Sequence, residues 1–276
     1  MKLVSFSATD DKVRPGVLMD ETGMVLDLSP NGYGSTLDVI TRGMPATVAA
    51  NKLPLAQVKL HAPLANPPRV FAIGLNYRDH AAEAKMAIPS TPVVFFKLQS
   101  AIIGPGEPIV LPKATTQPDY EAEFAFVIGK GGYRIAACEW RDHVYGYTIV
   151  NDVSARDVQF ATSQWTMAKS FPTFCPMGPA IVTADEIPDP HNLAISLTID
   201  GVVHQSSNTR ELVFRIPELV EYLSSITPLQ PGDIVSTGTP GGVGMGRTPK
   251  RWLKPGETVT ITVEGVGSLT NPVVAE

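Results

Sequence analysis

The sequence predicts a mainly β, α+β protein folded as a β-rich roll, and three observations carry that expectation. Runs rich in Val, Ile, Phe and Thr recur along the chain with the alternation of strands. Helical periodicity is confined to a few segments. Strands do not alternate regularly with helices, as a doubly wound parallel sheet requires. With 43% hydrophobic and 18% charged residues, the chain has material for a core and too little charge to stay disordered. Its 276 residues suit one large domain or one large and one small, at roughly 100–200 residues each.

The elements follow in order. Lys2–Phe6, Gly16–Met19 and Met24–Leu28 read as short strands, the last two joined by Glu21-Thr22-Gly23. A helix is expected next, with Ser35 or Thr36 as N-cap and Gly43 just past its end. The proline-bearing stretch Pro45 to Pro68 follows, and a boundary falls near residues 62–68, dividing a small domain, 1–65, from a larger one, 66–276. Beyond it, Val70–Ile73, Val93–Leu98, Tyr120–Ile128, Tyr145–Val150, Ala180–Thr183, Leu193–Ile199, Asp233–Ser236 and Thr258–Val263 read as strands. Asp200-Gly201 marks a two-residue hairpin. Asn76–Lys85 and Arg210–Ser225 read as helices, the second with a stripe of Leu212, Val213, Ile216, Leu219, Val220 and Leu223.

Several function classes are set aside. Net charge is −5 with no basic run, so a nucleic-acid footprint is not expected. No apolar stretch approaches the roughly 20 residues of a membrane span, and Met1–Phe6 is too brief for a secretory signal. Cys138 and Cys175 lack metal-site spacing and read as packed free thiols. A cytoplasmic protein is expected.

The chemistry concentrates in a few segments. In Asp119-Tyr120-Glu121-Ala122-Glu123-Phe124, strand alternation puts Glu121 and Glu123 on one face with Ala125 and Val127. A solvated face competes with a ligand pair. The apolar continuation on both faces argues for burial, which demands a counter-charge. Asp152 alone reads as a helix cap; with the two glutamates it completes three hard oxygen donors suited to Mg²⁺ or Mn²⁺. His80 and Glu83, at i and i+3, are either solvated neighbours or an imidazole–carboxylate base. Lys169 reads by itself as a surface charge. Gly238-Thr239-Pro240-Gly241-Gly242-Val243-Gly244 lacks a P-loop ending and reads as a turn whose N–H groups face a substrate carboxylate. His61, His143, His191 and His204 have no matched neighbours and read as structural.

With these residues assembled, the chain resembles the short, single-chain members of the fumarylacetoacetate hydrolase superfamily. The resemblance runs from about Val70 to Val274, through Gly74–Glu83, Asp119–Gly129, Asn151–Gln159, Lys169–Pro179, Ser206–Arg210 and Pro231–Gly244. It implies a mixed β-sandwich roll, a small N-terminal domain and a homodimer. It implies Mg²⁺ or Mn²⁺ on Glu121, Glu123 and Asp152, a catalytic dyad of His80 and Glu83, and an active-site Lys169. Arg156, Gln159 and Thr239 then contact the oxo-acid end of a substrate. Two departures stand out: Pro172 replaces an acidic residue common in relatives, and Phe71–Asn76 offers no fourth metal carboxylate.

The expected reaction is hydrolytic cleavage of a C–C bond in a 2,4-dioxo acid of the acylpyruvate type. His80, oriented by Glu83, takes a proton from water, and the metal and Lys169 stabilise the departing pyruvate enolate. Oxaloacetate decarboxylation and 2-oxo-acid tautomerisation use the same stabilisation and are the alternatives. A non-catalytic module binding a metal and an acidic metabolite is the rival from another class, and it has no use for His80 and Glu83.

Overall fold

The apolar alternation around residue 125 produces a strand buried on both faces. The structure, a computed structural model, describes residues 1–44 and 51–276; positions 45–50, which open the expected proline-bearing stretch, lie outside the described residues. Ala122–Ile128 is buried at every position. Phe124, Phe126 and Ile128 join Tyr147, Ile149 and the strands of a second sheet in the main core. Ala125 and Val127 face the other way, against Leu3, Leu28, Val39 and Ile40.

Among the described residues, the large sheet has twelve strands. Its main path runs Asn51–Pro54, Met24–Asp27, Arg14–Met19, Lys2–Ser7, Cys175–Thr183, Val144–Asn151, Ala122–Ile128, Ile234–Ser236, Val70–Gly74, Val93–Lys97, with Lys59–His61 and Ile102–Ile103 attached beside it. Most neighbours are antiparallel, but Ile234–Ser236 runs parallel to Val70–Gly74, so the sheet is mixed. A five-stranded sheet packs across the core in the order Val202–Asn208, Ala194–Ile199, Thr258–Val263, Gly267–Ala275, Ile109–Leu111. The N-terminal strands extend the large sheet, since Lys2 and Leu3 pair with Val182 and Ile181. The helix Thr36–Arg42 covers them, with Ser35 and Asp38 forming a reciprocal capping box worth about 1 kcal/mol.

Expected and observed elements agree at most sites and differ where tertiary pairing intervenes. Asp200 and Gly201 both take positive φ, 50° and 80°, as a two-residue hairpin of this twist requires. The helix expected from Arg210 starts only at Ile216. Pro217 fits a first helical turn, but in a longer helix it would break the ladder. The preceding segment is extended: Leu212 bridges Tyr77, and the Val213 N–H donates to the Asn76 carbonyl. Asn76–Lys85 likewise shortens to a helix over Arg78–Glu83. Cys175 is buried as expected, whereas Cys138 is exposed, which corrects its reading as a packed thiol. No helix among the described residues is long and apolar enough to cross a membrane.

Candidate active site

Register in the large sheet delivers three carboxylates to one place. Ala122 pairs with Asn151, and the Asp152 N–H donates to the Glu121 carbonyl at 3.0 Å, so Asp152 ends its strand beside Glu121. Glu123 stands two residues on, facing the same side. One oxygen from each of Glu121, Glu123 and Asp152 lies within 4.8 Å of the others. All three side chains are buried, which removes the solvated-face alternative.

Counter-charges reach two of the three. Lys169 Nζ lies 2.5 Å from Glu121 Oε2 and 2.7 Å from Asp152 Oδ2, so it is no surface charge. Lys97 Nζ donates to Asp152 Oδ1 at 2.5 Å and also to the Lys169 carbonyl. Arg156 pairs with Glu121 and, at 2.9 Å, with Asp119. Burial alone would push the Glu121 carboxyl up, but Arg156 and Lys169 hold it well below the usual range. Burial would lower the Lys169 ammonium, and Asp152 and Glu121 instead raise it. Among the described residues, Glu123 accepts from neutral donors alone, Ser236 Oγ at 2.5 Å and the Gly238 N–H at 3.0 Å. Burial, then the charges of Asp152 and Glu121, push its carboxyl well above the usual range.

His80 sits on the short helix, 7% exposed, with Nδ1 at 3.6 Å from Glu83 Oε2 and without a hydrogen-bond partner among the described residues. That separation is an ion-pair distance, longer than a hydrogen bond. Glu83 is held from behind. The Gly242 N–H donates to both its oxygens at 3.0 Å, and a Cβ on Gly246 would come within 2.5 Å of its carboxyl carbon. Burial would raise Glu83, but His80 and the Gly242 N–H keep it below the usual range.

The glycine-rich turn behaves differently from expectation. Its N–H groups serve the protein's own acids: Gly238 donates to Glu123, Gly242 to Glu83, and Gly244 and Met245 to Asp119. The partners lie more than a hundred residues away in sequence, so no local pattern could name them. Thr239 accepts from the buried Gln205 Nε2 at 2.8 Å, and Gln159 accepts from Arg156 Nη1 at 2.8 Å. One pocket is lined by eight of the nine expected residues: His80, Glu121, Glu123, Asp152, Arg156, Gln159, Lys169 and Thr239. Glu83 stands behind His80, and the other four histidines lie outside the lining.

Residues 69–274 match the fumarylacetoacetate (FAA) hydrolase C-terminal family. The chain belongs to the fumarylacetoacetate hydrolase family. Within it, the chain is 40% identical over 290 residues to a mitochondrial oxaloacetate tautomerase of Xenopus laevis, covering 99% of this chain and 90% of that one. The fold superposes on a 5-carboxymethyl-2-hydroxymuconate delta-isomerase from Mycobacterium smegmatis with a TM-score of 0.85, at 38% identity and full coverage of both chains. A maleylpyruvate hydrolase from Sphingobium sp. SYK-6, in complex with manganese(II) and pyruvate, gives 0.84 at 31% identity, covering 100% of this chain and 99% of the other.

The donor set of this family member fits a divalent cation. Three hard oxygen donors converge, and among the described residues Glu123 forms no ion pair, so a cation there would relieve the repulsion and burial that push its carboxyl up. Pro172 follows the Lys169 segment. It occupies a turn closed by the Phe174 N–H on the Phe171 carbonyl at 3.0 Å, with Thr173 at φ 70°. Lys97, Asp119 and Gln205 were missed from sequence. Lys97 closes the otherwise apolar strand Val93–Lys97, a pattern that any strand reaching solvent shares.

Proposed function

We propose that this protein is a divalent-metal-dependent enzyme that moves a proton at C3 of a 2-oxo acid bearing a second carbonyl at C4, interconverting keto and enol forms, with oxaloacetate as the first candidate. Glu121, Glu123 and Asp152 would hold Mg²⁺ or Mn²⁺, which supplies Lewis acidity towards the oxygens of the 2-oxo acid. Arg156, Gln159 and Thr239 bind the oxo-acid end. His80, kept in place by Glu83, takes the C3 proton while the C2 oxygen gains one, so no water is consumed. Lys169 balances negative charge as it develops at that oxygen.

The observation that carries this reading is His80 lining the same pocket as the acid cluster and Lys169. Imidazole is the side chain able to accept and return a proton near neutral pH. The likeness to an oxaloacetate tautomerase over almost the whole chain supports the same choice. Hydrolysis of an acylpyruvate, the reaction first expected, is the second reading, favoured by the likeness to a maleylpyruvate hydrolase. It needs the same proton transfer and an attacking water besides. The proposal extends to a cytoplasmic homodimer in which residues 1–65 buttress a catalytic domain of residues 66–276.

The test is ultraviolet decay of enol-oxaloacetate with Mg²⁺, Mn²⁺ or chelator, alongside pyruvate and carbon dioxide assays. Metal-dependent acceleration of the decay without either product supports tautomerisation. Pyruvate release from an acylpyruvate transfers the assignment to hydrolysis. Activity indifferent to chelator overturns both.

A further inference from the structure

The pocket lining carries two chemically unlike sets of side chains. It combines the buried acids, Arg156 and Lys169 with five apolar side chains, Leu75, Met86, Phe160, Trp165 and Met245, of which Phe160 is 63% and Met86 52% exposed. Both cations of the lining sit at the acid cluster, Lys169 paired with Glu121 and Asp152 and Arg156 with Asp119 and Glu121, where the reading above places the oxo-acid end. Among the described residues no further Lys or Arg lines the pocket. Lys85, between the lining residues Ala84 and Met86, is exposed and off the wall.

Two features hold this wall where it is. Leu75 takes φ +54°, a left-handed conformation that disfavours residues with a Cβ and that Gly or Asn adopts more easily. A leucine there is backbone strain accepted for an apolar side chain facing the pocket. A Cβ on Gly74 would come within 2.3 Å of Trp165 Cζ3, so the bare glycine lets the indole lie against the strand end. Phe95 meets the indole edge-on at 5.6 Å and fixes it.

We infer that this wall is the specificity element of the site and selects, among 2-oxo acids with a chain beyond C4, those whose chain is uncharged and apolar over those whose chain ends in a carboxylate. The inference rests on the 2-oxo-acid reading above. A distal carboxylate placed against these five side chains loses water and meets no counter-charge. A neutral chain gains burial, about fourfold in affinity per methylene.

The experiment takes the full-length protein with Mg²⁺ and measures binding by calorimetry and turnover in parallel. The probes are oxaloacetate, acetyl-, propanoyl- and butanoylpyruvate, and fumarylpyruvate as the distal carboxylate. Affinity and kcat/KM should rise from acetyl to butanoyl, with fumarylpyruvate weaker than butanoylpyruvate by about tenfold or more. Leu75→Asn, which suits a left-handed backbone, should drive the butanoyl-to-fumaryl ratio towards one, as should Trp165→Leu. Each ratio is read on one preparation, so partial misfolding cancels. Equal or better handling of fumarylpyruvate overturns the inference, as does a ratio unmoved in both variants. Oxaloacetate binding without discrimination among tails removes this inference alone; failure of every probe to bind removes the 2-oxo-acid reading with it.

Discussion

Glu123 is where burial and charge are least reconciled, and its titration is the most exposed to test. Folding raises its carboxyl, so Glu123 favours the native state below the unfolded value of about 4.3. That contribution is withdrawn as pH climbs through the raised folded value. Glu121 has the opposite sense: its contribution is present above the unfolded value and is lost only as pH falls through its depressed folded one. Chelator-treated protein should therefore lose Tm between weakly acidic and alkaline pH, and saturating Mg²⁺ should cancel much of that loss. Glu123→Gln should raise the Tm of the chelated protein and abolish its gain with Mg²⁺ in thermal scans; a lower Tm in chelator would contradict the uncompensated charge. Lys97→Met strips Asp152 Oδ1 of its cation and should cost about 3 kcal/mol in urea unfolding, at the low end for a broken buried pair because Lys169 still reaches Oδ2. His80→Ala should lower kcat by about 10²–10⁴-fold, with metal affinity by calorimetry unchanged. Glu121, Glu123 and His80 stood out in the sequence because strand alternation and helical spacing are local signals, whereas Asp152 alone read as a cap and joined them only as a third oxygen donor and through the family resemblance. Lys97 did not stand out, since one lysine at the end of an apolar run looks like any strand reaching solvent, and its partner Asp152 is 55 residues away.

At the level of elements, the short helix and the glycine-rich turn form one unit through Glu83. Gly246 has no Cβ, and adding one would press on the Glu83 carboxyl without demanding a left-handed backbone. Gly246→Ala should therefore lower kcat while leaving metal affinity near wild type, and a crystal structure of the variant should show Glu83 displaced from the Gly242 N–H. Unchanged kinetics would mean that Glu83 needs no fixed position. The long helix shows where local pattern misleads. Leu212 and Val213 continue the apolar stripe of Ile216–Ile226, yet Pro217 and the pairing of residues 212–213 with 76–77 keep them out of the helix. Periodicity identified the right buried residues and the wrong backbone, because burial against a strand and burial against a sheet leave the same mark on a sequence.

For the whole molecule, the mainly β character was legible throughout, but the continuity of the large sheet was not. Which edge Lys2–Ser7 would join depends on Cys175–Thr183, far along the chain. Removing residues 1–65 would leave that strand with an open edge and uncover Ala125, Val127, Val150 and Met177. A fragment of residues 66–276 should accordingly aggregate and bind no Mg²⁺, as size-exclusion chromatography and calorimetry would show; a monodisperse, metal-binding fragment would make the N-terminal segment dispensable for folding. The turn of residues 238–246 has a consequence at this scale too. It pins Glu123, Glu83 and Asp119 at once, three acids drawn from two separate segments of the chain. Substitutions at those acids should then combine non-additively in double-mutant cycles, because each loosens the anchor shared by the other two. The number of residues in this turn, more than the side chains it carries, is what the chemistry constrains: one residue inserted or removed would misplace a candidate ligand, the support of a base and the partner of Arg156 in a single step.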